Sequence, residues 1–125
     1  MDSVIHFDIP AEDLARAKEF YEKIFSWKIN YYSDEYSLCT TTEMDEKTKM
    51  PKEVGSINGG LQKKDDMSPY PIVVIGVKDI DLTIKNILAR GGKIIMGKKQ
   101  MGDMGTYAKL TDSENNVIGI WQNAK

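Results

Sequence analysis

Residues 4–28 read VIHFDIPAEDLARAKEFYEKIFSWK, and this stretch decides the fold. It begins with an alternation of apolar and polar side chains, which is typical of a half-buried strand with His6 and Asp8 on one face. Asp13 follows as a favourable helix N-cap, because its carboxylate can accept hydrogen bonds from the first free N–H groups of a helix. Apolar side chains then recur at helical spacing, so the pattern predicts a helix over 14–25.

Three further strands complete the first half of the chain. Their β-branched and aromatic content predicts them over 27–32, 36–42 and 54–62. Residues 43–53 are polar and poor in apolar side chains, so we expect a mobile loop there. Residues 63–71 carry two prolines and are predicted to be a linker.

The same order of elements restarts at residue 72. Residues 72–77 form an apolar strand, Asp79 is a second N-cap, and a helix over 80–90 ends at Gly91–Gly92. Three more strands are predicted over 93–96, 106–111 and 117–122, with a glycine-bearing loop at 97–105.

The two halves are an internal repeat. The N-caps Asp13 and Asp79 are 66 positions apart, and the same shift places the inward-facing Ile9 on Ile75. Each half alone leaves one face of its sheet bare, so two copies are needed to bury a core. We therefore predict one α+β domain, 1–125, built from two tandem βαβββ modules at about 1–64 and 70–125.

Composition and charge exclude several classes of protein. The 125 residues include 17 basic and 19 acidic side chains, giving a formal charge of −2 with no block of like charge. This balance gives no electrostatic reason to expect nucleic acid or a membrane surface as a partner. The single cysteine, Cys39, excludes an internal disulfide, and no activating cation or histidine adjoins it in sequence, so we expect an inert thiol. With no secretory signal at the start of this sequence, we expect a cytoplasmic protein.

Several segments, spread over nearly the whole chain, together resemble one known family. They are His6, DL at 13–14, FYEKIFSWK at 20–28, VKDID at 77–81, GGK at 91–93 and DSENNVIGIW at 112–121. In this order and spacing the sequence resembles the vicinal oxygen chelate superfamily, which contains glyoxalase I, bleomycin-resistance proteins and extradiol dioxygenases. The resemblance implies the glyoxalase/bleomycin-resistance fold, in which two βαβββ modules form a curved mixed sheet that encloses a cup.

The resemblance also implies where a metal would bind. In the metal-dependent members, side chains of the first and last strands of each module hold a divalent ion in the cup. The corresponding positions here are His6, a position at or beside Gly60, Ile72 and Gly119. Transition metals ordinarily need about three or four protein donors, and Asp8 adds at most one to the imidazole of His6. We therefore expect no cofactor and no metal, and neither glyoxalase I nor extradiol dioxygenase activity.

A mostly apolar pocket for a small molecule is the remaining expectation for the cup. Its predicted lining is His6, Asp8, Gly59, Gly60, Ile72, Val74, Val117, Gly119 and Trp121. His6 and Asp8 are candidate catalytic residues as an acid–base pair, although neighbours two apart on a strand need not touch. The alternative for each residue is structural: a hydrogen-bonded histidine, a bulge at the two glycines, and a tryptophan in the core or a dimer interface.

Three functions are compatible with these residues. The first is a metal-free protein that binds a small molecule in the cup, like the bleomycin-resistance members. The second is a divergent lyase, isomerase or dioxygenase of the same superfamily that uses His6 with Asp8. The third is an accessory domain in which the cup is vestigial. We also expect a homodimer, because exposed sheet edges favour pairing with a second copy.

Overall fold

Ten elements of secondary structure follow the order that the sequence predicts. A computed structural model describes all of residues 1–125. The elements are β1 (Val4–Ala11), α1 (Leu14–Phe25), β2 (Lys28–Ser33), β3 (Tyr36–Thr40), β4 (Asn58–Lys63), β5 (Ile72–Gly76), α2 (Ile80–Ala89), β6 (Ile94–Met101), β7 (Gly105–Thr111) and β8 (Val117–Asn123). The predicted α+β fold of two βαβββ modules is confirmed.

The first compact unit, here called the N-terminal unit, comprises His6–Pro71. Its strands lie in the order β2-β3-β4-β1, with β1 parallel to β4 and the other neighbours antiparallel. One face of this sheet packs against α1 and the chain that follows it. The core buries Ile29, Cys39 and Leu61, with Phe7, Ile9, Leu14, Ala17, Tyr21 and Trp27 packed around them.

The second compact unit, here called the C-terminal unit, comprises Met1–Ile5 and Ile72–Lys125. The N-terminal residues belong to it because the Gly76 N–H donates to the Ser3 carbonyl at 3.0 Å. Its strands lie in the order β5-β8-β7-β6, with β5 parallel to β8 and the other neighbours antiparallel. The core on the α2 side buries Val77, Ile80, Ala108, Leu110 and Ile120, with Ile75, Ile84 and Ile87 packed against them.

Both helices begin at the predicted caps. The carboxylates of Asp13 and Asp79 each accept a hydrogen bond, at 3.0 Å, from the backbone N–H three residues later. Helix α1 ends at Ser26, which has the left-handed φ of 61° that favours glycine at this position. Neither helix is long and apolar enough to cross a lipid bilayer.

Two strand bounds differ from the prediction by more than two residues. Strand β4 begins at Asn58 rather than residue 54, because Gly55 has a left-handed φ of 87° and residues 54–55 form a turn. Strand β6 continues to Met101, through residues predicted to be a loop. The Lys98–Lys99–Gln100 run of β6 is polar on both faces, which is typical of an exposed outer strand. Register shifts interrupt the pairing of β6 with β7.

Residues 43–53, predicted to be a mobile loop, carry a set of local hydrogen bonds. Met44 and Pro51 form an isolated antiparallel bridge. The carboxylate of Asp45 accepts from the backbone N–H groups of Lys47 and Thr48 at 2.8 and 2.9 Å. These bonds lower the pKa of Asp45 and close the segment into a compact turn.

Candidate functional site

Strand β1 separates two kinds of side chain in the N-terminal unit. Phe7 and Ile9 point to the helix side and join the core with α1. His6 and Asp8 therefore lie on the opposite face, since successive side chains of a strand alternate. The neighbouring strand β4 places Asn58 beside His6 and Gly60 beside Asp8 in register.

Tyr36 of β3 joins His6 and Asp8 in a hydrogen-bonded cluster. Its hydroxyl donates to Asp8 Oδ1 at 2.6 Å and lies 2.8 Å from His6 Nε2. The same nitrogen lies 3.2 Å from Asp8 Oδ1, so the two strand neighbours do touch. The Asp8 side chain is 7% exposed and that of His6 is 28% exposed. The cluster therefore presents an imidazole, backed by a buried carboxylate and a phenol.

Gly60 makes room for this arrangement. A Cβ atom at Gly60 would overlap the hydroxyl and the ring of Tyr36. Any larger residue would therefore push the hydroxyl away from Asp8. A glycine in a strand often marks such a close approach, and here the approaching group is a side chain of the same unit.

Gly59 faces the other way. A Cβ atom there would meet the ring of Phe7, which belongs to the core on the helix side. Of the two adjacent glycines predicted to line a pocket, Gly59 and Gly60, only Gly60 lies on the face of His6. The reason is the strand period of two, which places adjacent residues on opposite faces.

In the C-terminal unit, the predicted residues share one face of the sheet. Ile75 and Ile120 join the core on the α2 side, so their strand neighbours lie on the opposite face. Register pairs Val74 with Gly119, Gly76 with Trp121 and Thr111 with Val117. The predicted residues on this face are Ile72, Val74, Val117, Gly119 and Trp121.

Tyr107 of β7 also lies on this face, and the sequence prediction missed it. Its ring centroid is 6.3 Å from that of Trp121, and a Cβ at Gly119 would come within 2.5 Å of its hydroxyl oxygen. Lys109, which pairs with Gly119, is only 4% exposed, and its ammonium lies 6.0 Å from the Tyr107 ring centroid. A lysine buried to this degree is uncommon, because burial of a charge is costly unless it is compensated.

The same tyrosine-over-glycine arrangement therefore occurs in both units. In the N-terminal unit Leu38 pairs with Gly60, and Tyr36 lies two residues before Leu38. In the C-terminal unit Lys109 pairs with Gly119, and Tyr107 lies two residues before Lys109. The signal in the sequence was a tyrosine in each third strand of the repeat, but its reach over a glycine depends on the strand register.

The donor set does not fit a divalent transition metal. No three side chains of histidine, cysteine, aspartate or glutamate lie close enough together to hold an ion. The His6–Asp8 pair supplies one nitrogen and one carboxylate, and both already engage Tyr36. Zn²⁺ and related ions require about three or four protein donors, and this pair supplies only two.

Two open grooves lie elsewhere on the surface. One, of about 440 Å³, lies between the end of β1 and the start of α1 and includes Arg16, Phe20 and Lys64. The other, of about 590 Å³, lies at the ends of β6 and β8 and includes Gln100, Asp103 and Lys125. None of His6, Asp8 and Tyr36 lines either groove.

Comparison with known proteins identifies a family. The model of the Glyoxalase/Bleomycin resistance protein/Dioxygenase superfamily matches residues 3–120. No curated protein matches this sequence significantly.

Solved structures share the fold at low sequence identity. A hypothetical protein from Bacillus halodurans has a TM-score of 0.66 and 14% identity, over 99% of this chain and 96% of its own. A methylmalonyl-CoA epimerase from Streptomyces coelicolor has a TM-score of 0.66 and 14% identity, over 98% and 97%. A superfamily member from Vibrio splendidus has a TM-score of 0.62 and 11% identity, over 98% and 100%. At these identities the likeness concerns the fold alone.

Proposed function

We propose that this chain, which belongs to the Glyoxalase/Bleomycin resistance protein/Dioxygenase superfamily, binds a small organic molecule without a catalytic metal. The observation that carries the proposal is the His6–Asp8–Tyr36 cluster on the face of the N-terminal sheet opposite α1. Small-molecule sites carry a small number of precisely placed polar groups, which fix the orientation of the ligand.

The arrangement of the cluster supports binding through His6. Asp8 is buried, whereas His6 and Tyr36 are both half-buried, so the imidazole is far more accessible to a ligand than the carboxylate beside it. The two partners hold the ring in one orientation, which reduces the entropy that a ligand would otherwise lose by ordering it.

A second candidate is a metal-free enzyme that transfers a proton with His6. The observation in its favour is the 3.2 Å contact between His6 and Asp8, because a carboxylate beside an imidazole is a common way to prepare a general base. Solved structures with this fold include an epimerase, but at 14% identity that likeness concerns the fold and not the chemistry. For this candidate, His6→Ala abolishes turnover and leaves the fold intact.

Thermal-shift screening of a small-molecule library tests binding. A ligand present at about 100 times its dissociation constant should stabilise the folded state by about 2.7 kcal/mol, a readily measured rise in Tm. With any hit, His6→Ala and Tyr36→Phe should reduce the shift. Tyr31→Phe is the matched control, because the Tyr31 hydroxyl reaches only the exposed Asp34.

Two kinds of hit would contradict the proposal. One is a hit whose shift is unchanged in both cluster variants, which would place binding elsewhere. The other is a hit that requires added divalent metal. The homodimer and the cytoplasmic location expected from the sequence stay predictions, and sedimentation velocity of the purified chain tests the first.

A further inference from the structure

The two ring nitrogens of His6 have different surroundings. Nε2 lies 2.8 Å from the Tyr36 hydroxyl and 3.2 Å from Asp8 Oδ1. Nδ1 has no hydrogen-bond partner within the chain. No buried side-chain nitrogen or oxygen lacks a partner, so Nδ1 reaches the surface. The ring is thus tied at one nitrogen and open at the other.

The hydrogen bonds of the cluster assign its protons. The Tyr36 hydroxyl has one proton and donates it to Asp8 Oδ1 at 2.6 Å. The Tyr36 oxygen is then an acceptor toward Nε2, and so is the carboxylate oxygen. Nε2 must carry a proton to bond with either of them. In the neutral ring this leaves Nδ1 without a proton and with a free lone pair.

We infer that His6 is a proton acceptor fixed in the Nε2–H tautomer, with the Nδ1 lone pair directed to the ligand. This inference rests on the proposed function and names the class of ligand. The ligand presents an acidic hydrogen to Nδ1, on nitrogen, oxygen or a carbon next to a carbonyl group. Tyr36 and Asp8 act as positioning residues. They contact Nε2 and set the tautomer of His6, whereas the ligand contacts Nδ1.

Proton transfer at this site balances without a further reactant. The proton moves from the ligand to Nδ1, and its bonding electron pair stays on the ligand. The imidazolium that forms faces the Asp8 carboxylate through Nε2–H, which stabilises the new positive charge. Return of the proton to the same or another ligand atom restores the ring, and nothing is oxidised or reduced.

Nuclear magnetic resonance of the ligand-free protein tests the tautomer. His6 is the only histidine, so ¹⁵N-histidine labelling yields one imidazole spectrum that needs no assignment. We expect a protonated Nε2 and an unprotonated Nδ1 at neutral pH. A free imidazole also favours this tautomer. The Tyr36→Phe variant therefore distinguishes a ring held by its partners from a free one. In Tyr36→Phe we expect the Nε2 proton to exchange with water at least about tenfold faster, the effect of one lost hydrogen bond.

Acylation tests whether Nδ1 is open. Diethyl pyrocarbonate acylates an accessible unprotonated ring nitrogen, and we expect the product at Nδ1, read from the same spectrum. Tyr31→Phe is the matched control and should leave both readouts unchanged.

The inference is overturned by a protonated Nδ1 in the wild-type protein, by acylation at Nε2, or by unchanged Nε2 proton exchange in a folded Tyr36→Phe. The first two results need no variant and overturn the inference even where Tyr36→Phe fails to fold. All three readouts use protein without ligand. A failed library screen therefore counts against the proposed function only, whereas these outcomes count against the tautomer only.

Discussion

Gly60 is the residue at which the cluster is most easily disrupted. We expect Gly60→Ala to destabilise the protein by about 2–4 kcal/mol, since overpacking is costly and the displaced hydroxyl loses its bond to a buried carboxylate. Urea denaturation monitored by tryptophan fluorescence measures this change. The same variant should also accelerate exchange of the His6 Nε2 proton.

The control for this substitution is Gly97→Ala in β6. Apart from Gly97 itself and its two chain neighbours, no residue has an atom within 4 Å of a Cβ built at Gly97, and its φ is not left-handed. Alanine there should be neutral or should stabilise the protein by up to about 0.5–1 kcal/mol, because glycine weakens strands. Equal destabilisation by both alanines would show that the Tyr36 contact is not the cause.

Cys39 is a buried thiol whose ionisation is suppressed. Burial, and secondly the negative charge of Asp8, raise the pKa of Cys39 from 9.0 to about 11. Because thiolate is the reactive form, the folded protein should resist iodoacetamide at neutral pH and react after denaturation. Mass spectrometry of the alkylated chain checks this, and rapid labelling of the folded state would contradict it.

The same pKa shift makes stability depend on pH in the alkaline range. Above pH 9 the unfolded state loses the Cys39 proton while the folded state keeps it up to about pH 11. The contribution of Cys39 is therefore fully present below pH 9 and is lost as pH rises toward 11. The decline should be steeper in the wild-type protein than in Cys39→Ala, as measured by urea denaturation across this range.

At the scale of elements, we expect the two helix N-caps to contribute equally to stability. Asp13 and Asp79 both have extended backbone conformations. Each carboxylate accepts a hydrogen bond at 3.0 Å from the backbone N–H three residues later. Alanine at either position should cost about 1 kcal/mol of stability. Glu12→Ala, one residue before the first cap, should change stability by less than about 0.5 kcal/mol. Unequal costs for the two caps in thermal denaturation would argue against equivalent helix starts.

The elements also show what sequence patterns could and could not predict. Alternation and capping predicted where β1 and both helices begin, because these signals are local. The start of β4 and the length of β6 were wrong, since a left-handed Gly55 and the pairing of a polar outer strand are not visible in hydrophobic periodicity. Tyr36 was missed for a related reason: its contact with Asp8 depends on the reach of its side chain across the intervening strand β4.

At the scale of the whole chain, the internal repeat accounts for more than the order of elements. Each unit has a helix on one face of its sheet and a tyrosine over a glycine on the other. The packing of a tyrosine on a glycine is common to both units, whereas the surrounding side chains differ. Tyr36 joins His6 and Asp8, whereas Tyr107 lies against Trp121 and near the ammonium of Lys109. The two units therefore have the same backbone arrangement but different side chains on the sheet face opposite the helix.

The whole-chain prediction concerns metal content. Because His6 and Asp8 supply only two donors and both engage Tyr36, we expect transition metal well below one ion per chain. Mass spectrometry of protein purified without chelator or affinity-tag histidines measures this, before and after incubation with Zn²⁺, Ni²⁺, Mn²⁺ and Fe²⁺. Near-stoichiometric metal that disappears in His6→Ala would contradict the proposed function, because His6 would then be a metal ligand. Metal that persists in His6→Ala would instead be bound elsewhere and would leave the cluster intact.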